Sequence, residues 1–261
     1  MRLIIKQATL VDPKGPNHLK TTDILVENGM IKQLGQITLQ DGDQVFEADN
    51  LHVSPGWFDT SVCLGEPGYE DRETLANGLQ VAALSGFTGV AVQPNTVPVA
   101  DNQSVIRLIK QASKNTATEA YPIGALTKES AGKDMAELLD MQEAGAIAFG
   151  DYQKNLSNAN LLKIALQYAQ DFQARILAFS MDENLKGKGV VNEGITSTRL
   201  GLKGIPGLAE EIIIARNLSI LEYTGGQLHL PTLSTTGSLE LVKRAKDKGL
   251  QVSCSVAISQ L

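Results

Sequence analysis

The chain has 261 residues, 43% hydrophobic and 20% charged, so it is long enough to bury a sizeable core and has the balance of an ordinary soluble protein. Its 23 Lys and Arg stand against 29 Asp and Glu, a net charge of −6 with the basic residues dispersed, which argues against nucleic acid and anionic membranes as partners. No apolar stretch is long enough to span a bilayer, the start MRLIIKQATLVD has no signal-peptide pattern, and two cysteines, Cys63 and Cys254, imply no disulfide framework, so a cytoplasmic setting with reduced thiols is expected.

Residues 1–54 read as short strands separated by turns: Leu3-Ile-Ile5, Asp23 to Glu27, Met30 to Leu34 and Gln44 to Glu47, with Glu27-Asn-Gly29 as a hairpin signal. From Pro55 the pattern changes. Short apolar runs near 57–63, 88–93, 119–125, 145–150, 175–180, 227–232 and 250–256 alternate with longer helical segments such as Arg72 to Ser85 and Leu208 to Tyr223. After Ser157, apolar residues at Leu161, Leu162, Ile164, Ala165 and Tyr168 make a buried helical stripe. Such alternation predicts a parallel sheet with crossover helices. Seven strands in residues 55–261 fall short of an eight-stranded barrel, which commonly takes about 250 residues. Either the chain is a fragment that stops before strand eight or another chain supplies that strand; the two parallel edges of an open barrel favour the fragment.

One segment carries the most chemical information: Ser54-Pro-Gly-Trp-Phe-Asp-Thr-Ser-Val-Cys-Leu-Gly-Glu-Pro-Gly-Tyr69. It resembles the first barrel strand of the cyclic amidohydrolases, and of dihydroorotase in particular, where Pro-Gly-x-x-Asp runs into His-x-His and Leu-Arg-Glu-Pro-Gly. Residues i and i+2 of a strand share a face, so a His-x-His pair can hold one zinc. Here those places are Ser61 and Cys63, and the arginine that would grip a substrate carboxylate is Gly65.

The resemblance continues in order to the end of the chain. Gln93-Pro-Asn-Thr-Val-Pro98 is similar to the family's Met-Pro-Asn-Thr-x-Pro, which puts Asn95 at a substrate-binding place. Gly187-Lys-Gly189, Asn192-Glu-Gly194, Gly201 to Glu210 and Ser234-Thr-Thr-Gly-Ser238 follow the same frame. It implies an amidohydrolase-type (β/α)8 TIM barrel, strands one to seven present over residues 55–261, with residues 1–54 as the amino-terminal part of a small β-sandwich domain.

The implied ligand places diverge from the family. Ala-Phe-x-Asp-Asp-Gly becomes Ala148-Phe-Gly-Asp-Tyr-Gln153, keeping one acid, Asp151. Phe179 and Thr232 stand where the family has histidines, and the Pro-His-His-Leu turn becomes Ile258-Ser-Gln-Leu261. Amide hydrolysis in this family needs a Lewis-acid ion and a base. With Ser61, Cys63, Phe179 and Thr232 at the ligand places, no zinc and no cofactor are expected, and hydrolysis by the family mechanism is expected to be absent. Oxygen donors at Glu66, Asp151, Asp182 and Glu183 suit Mg²⁺ or Ca²⁺, but acidic residues on loops are more often solvated.

Cys63 has no evident base partner among His18, His52 and His229 and reads as a buried, inert cysteine; His229 reads as a hydrogen-bonded strand histidine. Glu66 and Asn95 read as structural loop residues.

Two functions follow from the resemblance. One is a non-catalytic dihydroorotase-like protein of pyrimidine synthesis, a homodimer and structural partner of aspartate transcarbamoylase. The other is an active metal-dependent cyclic amidohydrolase, interconverting dihydroorotate and N-carbamoyl-aspartate with an atypical metal site.

Overall fold

Apolar residues alternate with polar ones from the first turn of the sequence, and they build β1 (Arg2–Leu10), β2 (Thr21–Glu27), β3 (Met30–Leu34), β4 (Gln44–Phe46) and β5 (His52–Val53). In the computed structural model, which describes residues 1–260, β1 pairs antiparallel with β2 and parallel with β4 and β5, and β2 pairs antiparallel with β3. Asn28 and Gly29 both adopt positive φ between β2 and β3, the geometry that a two-residue hairpin turn requires. Ile4, Leu25 and Ile37 form the buried cluster of this unit, Met1–Trp57.

The first strand is nine residues long where Leu3-Ile-Ile5 alone was expected. A bulge between Ile5 and Ala8 hides the continuation: Gln7 turns to φ +50, and its N–H donates to Asp23 Oδ1 at 3.0 Å. Lys6 Nζ bonds the other oxygen at 2.7 Å and holds the Asp23 carboxyl below its usual range.

The second unit, Phe58–Leu261, is a succession of strand and helix. In chain order it contains β6 (Trp57–Val62, beginning at the boundary), α1 (Leu75–Leu84), β7 (Phe87–Val92), α2 (Gln103–Ala112), β8 (Glu119–Gly124), α3 (Leu138–Glu143), β9 (Ala148–Phe149), α4 (Ala159–Gln170) and β10 (Arg175–Leu177). Then follow α5 (Glu183–Lys186), β11 (Val191–Asn192), α6 (Ile195–Arg199), β12 (Gly204–Ile205), α7 (Leu208–Thr224), β13 (Gln227–Leu230), α8 (Thr236–Asp247) and β14 (Val252–Cys254). Seven strands form one sheet in the order β14-β13-β10-β9-β8-β7-β6, so each is joined to its neighbour through a crossover. β6 and β14 are its edges among the described residues.

Polar caps fix where the helices begin. Thr74, Asn102, Asn158 and Thr235 each accept backbone N–H groups of the following turn, so the helix expected from Arg72 starts at Leu75. Phe149, Leu162, Leu166, Ile176 and Leu228 are among the fully buried residues of the core between sheet and helices.

All seven expected strands end early: the ladders stop at Val62, Val92, Gly124, Phe149, Leu177, Leu230 and Cys254. The residues that follow leave the sheet and build the loops at its carboxyl end. The segments that follow the family frame at Gly187–Gly194 and Gly201–Pro206 contain a small parallel pair, β11 with β12. Ile258–Gln260 form one 3₁₀ turn, and Leu261 lies outside the described residues.

Two buried polar ties explain motifs that carry no chemistry. Glu210 on α7 accepts the backbone N–H groups of Ser234 and Thr235 and the Ser234 hydroxyl, fastening the loop after β13. Arg216 donates to the carbonyls of Leu156 and Ser157 and to Asn155 Oδ1, fastening the loop before α4.

Candidate functional site

Loops at the carboxyl ends of the strands enclose a cleft of about 420 Å³, including the solvent at its mouth. Ser61, Gln93, Asp151, Tyr152, Phe179 and Thr232 are in its wall, with Leu177 and Pro231 as apolar neighbours. In a parallel barrel this end carries the chemistry, because successive βα loops converge there. The fold thus brings together four of the five residues at the implied ligand places, although they are spread over more than 170 positions of sequence.

Asp151, the surviving acid, is buried and fully engaged. Oδ1 accepts the N–H groups of Leu126 and Thr127 at 3.1 Å each, and Oδ2 accepts the Thr127 hydroxyl at 2.5 Å. Burial raises its pKa, and the bonds from Thr127 and Leu126 oppose that rise. The carboxylate closes the loop after β8 and has few lone pairs left for an ion. Ser61 Oγ accepts from Gln93 Nε2 at 3.1 Å. Thr232 is exposed, at φ +54, a backbone region that β-branched residues rarely occupy, and its N–H donates to Ser255 Oγ at 3.2 Å.

Cys63 differs from its expected state. It is exposed, because β6 ends at Val62 and the cysteine stands one residue beyond the ladder. Burial, and then the neighbouring Cys63, push the pKa of the Tyr152 hydroxyl up to about 12. Ser61 lines the cleft, whereas Cys63 is outside its wall.

Gly65 and Asn95 are outside the cleft wall. Asn95 is exposed, and its side chain makes no hydrogen bond among the described residues; Thr96 shapes that turn instead, its hydroxyl donating to the Pro98 carbonyl at 2.8 Å. Gly65 sits at φ +52, and a Cβ there would lie 2.6 Å from the Tyr69 carbonyl oxygen and 2.8 Å from that of Glu73. The loop has closed around glycine. Reintroducing the family's arginine as Gly65→Arg is expected to cost roughly 1–3 kcal/mol and to give no carboxylate grip; urea unfolding with an unchanged midpoint would contradict this.

The alternative oxygen site does not assemble. Glu66 Oε2 accepts the Leu75 N–H at 2.7 Å, Asp182 caps α5 through the N–H groups of Asn184 and Leu185, and Glu183 pairs with Lys186. Among the described residues, no three His, Cys, Asp or Glu side chains converge as a cation site.

His229 is a bonded strand histidine, as its sequence context suggests. Its ring nitrogens face Ser253 Oγ at 2.9 Å and Ser255 Oγ at 3.3 Å. Burial, and then the charge of Arg175, pull its pKa from 6.5 down to about 4. The unfolded chain thus binds the proton more readily than the folded one between those values. Stability is full above pH 6.5 and falls with pH, by up to roughly 3 kcal/mol near pH 4. His229→Gln should flatten this part of a stability-against-pH curve; an unchanged slope would place the titration elsewhere.

Three wall residues escaped sequence reading: Gln93, Tyr152 and Gln153. Each had a signal, since each replaces a different residue type of the resembled frame. Gln153 sits at φ +53, a backbone region that glycine enters without strain.

A family model described as dihydro-orotase-like matches residues 51–238. The chain belongs to that family. Over 98% of its length it is 44% identical to a protein named dihydroorotase from Pelotomaculum thermopropionicum and 40% identical to one of the same name from Geobacter sulfurreducens. It covers 60% and 61% of those proteins, so it spans about three fifths of the relatives it matches. Two solved structures show the same fold: the L-hydantoinase (dihydropyrimidinase) of Arthrobacter aurescens, with a TM-score of 0.79 at 19% identity, and the D-hydantoinase (dihydropyrimidinase) of a Thermus species, at 0.72 and 19%. The chain covers 58% of each, and they cover 98% and 99% of it. The sheet of seven parallel strands is thus the larger part of an amidohydrolase-type barrel.

The family resemblance implies zinc. The donors in this cleft do not fit it: two hydroxyls, a phenyl ring and a carboxylate already holding three hydrogens replace the nitrogen, sulfur and free carboxylate donors that zinc takes. No hydrolytic step is derived through a metal here.

Proposed function

We propose that this dihydro-orotase-like chain serves pyrimidine biosynthesis in the cytoplasm as a non-catalytic protein, with Ser61, Cys63, Asp151, Phe179 and Thr232 at the family's ligand places. The observation that carries the reading is the cleft wall itself. It keeps the places of the family's ligands, yet the donor set that would hold a metal to make hydroxide from water is absent from the described residues lining it. Gly65 adds a second, independent loss, since its loop has no room for the arginine that would hold a substrate carboxylate.

A protein that keeps a rigid fold without its reactive groups still offers surface. The proposal therefore extends to a homodimer that binds aspartate transcarbamoylase through outer helices and loops; support for this finer statement is the family resemblance. Affinity capture of the native protein, with sedimentation of the product, tests it. The expected result is co-purified transcarbamoylase activity and a mass above that of one chain. A lone monomer whose depletion leaves transcarbamoylase activity unchanged would rule the scaffold out.

The alternative, an active hydrolase with an atypical metal site, is favoured by one observation. Asp151 is buried in the cleft wall with a raised pKa, as an acid–base residue often is. Its three hydrogen bonds to one loop give it a structural occupation that accounts for its place equally well.

A further inference from the structure

Side chains alternate between the two faces of a strand, and the large sheet uses its two faces differently. Val90, Val92, Ile176, Leu228 and Leu230 join the core shared with the helices. Ala91, Leu177 and His229 alternate with them and, together with Phe58, Thr60 and Ile123, line a second cavity of about 470 Å³, solvent at its mouth included. Bulky branched side chains ordinarily fill the inside of a parallel barrel. Thr60, Ala91 and Ala148 are too small to do so, and space remains. Its size is that of a small-molecule site.

The charge of this cavity says what it would hold. Arg175, the first residue of β10, is in its wall and makes no ion pair among the described residues; its Nη2 donates to Gln227 Oε1 at 3.1 Å. No Asp, Glu or Lys lines the cavity among those residues, and its other titratable group, His229, is uncharged at neutral pH because its pKa lies near 4. Arg175 is therefore a lone cation with N–H groups to spare, arranged in a fork that matches a carboxylate. Phe58, Ile123 and Leu177 make the rest of the wall largely apolar. A phosphate dianion would leave one charge unmatched against that surface, whereas a carboxylate is balanced by one guanidinium. We propose that the cavity binds a monocarboxylate with an aromatic or aliphatic body, its carboxylate on Arg175 and its body against Phe58, Ile123 and Leu177. The proposal goes beyond the non-catalytic reading and does not rest on it: Arg175 is outside the wall of the cleft, so each stands or falls by itself.

The test uses three probes of one shape, 3-phenylpropionate, 3-phenylpropanol and 3-phenylpropylamine, titrated into the purified protein by calorimetry and ligand-observed NMR at neutral pH. Saturable binding of 3-phenylpropionate is expected, with the alcohol at least about tenfold weaker, the scale of one charge-assisted hydrogen bond, and the amine weaker still. Arg175 is exposed, so Arg175→Gln should keep the fold, weaken the acid about tenfold or more and abolish its advantage over the alcohol. Thr60→Phe, which fills the space for the body, should remove binding of both, with circular dichroism and melting temperature checked for each variant. If a variant fails to fold, the comparison of acid with alcohol on the unaltered protein still decides. No saturable binding of 3-phenylpropionate, alcohol or amine binding as tightly as the acid, or affinity unchanged in a folded Arg175→Gln would each overturn the proposal.

Discussion

The double variant Ser61→His, Cys63→His is expected to hydrolyse dihydroorotate no faster than a buffer control, with zinc supplied. Restoring the His-x-His pair returns two donors to the sequence, but position 63 is outside the cleft wall. Cys63 stands beyond the end of β6 and is exposed. Phe179 and Thr232 still offer no nitrogen, and Asp151 remains tied to Leu126 and Thr127. A catalytic zinc needs three protein ligands and an open position, and the variant does not assemble them. Rescue of a measurable rate would show that other donors complete the site and that the placement of Phe179 and Thr232 at ligand positions is wrong.

The second large effect is on stability. Phe149→Ala should cost about 3–5 kcal/mol, a large share of the stability of a typical domain. The ring is fully buried at the end of β9, meets Phe172 edge-on with centroids 6.5 Å apart, and fills space beside Gly124, where a Cβ would stand 2.8 Å from it. The strand that carries it is the middle one of the seven-stranded sheet, held between β8 and β10, which limits how far the hole can collapse. Urea unfolding reads the loss directly, and a cost under about 1 kcal/mol would mean that the core relaxes far more easily than its packing implies.

Much of this fold was legible because its signals are local and repeated. Apolar runs of four to six residues separated by capped helices place every strand of the large sheet to within a few residues, and Asn28-Gly29 announces its hairpin. What escaped was whatever depends on where a ladder stops. The alternation around Cys63 reads as a strand continuing through it, and only the end of the ladder at Val62 exposes the thiol. The bulge at Gln7 conceals half of β1, since a polar pair interrupts the apolar run. Val191–Asn192 and Gly204–Ile205 are too short and too rich in glycine nearby to stand out as strands.

The site was legible in a different way. Ser61, Asp151, Phe179 and Thr232 were reached through family motifs, and no spacing within this chain would have joined them. Asn95 was carried over by the same route and lies outside the cleft wall, whereas Gln93, two positions earlier in the same motif, is in it. A side chain two residues along a turn leaves in another direction, and a motif does not record direction. Glu66 shows the same limit from the other side: its Glu-Pro-Gly is kept, and its carboxylate serves the start of α1.

The most direct test of the central claim is a single preparation of the native protein, assayed for zinc by elemental analysis and for dihydroorotate turnover in parallel. The account predicts substoichiometric zinc and a rate equal to buffer at neutral pH, with no gain when zinc is added. A stoichiometric zinc content together with turnover above that control would contradict it.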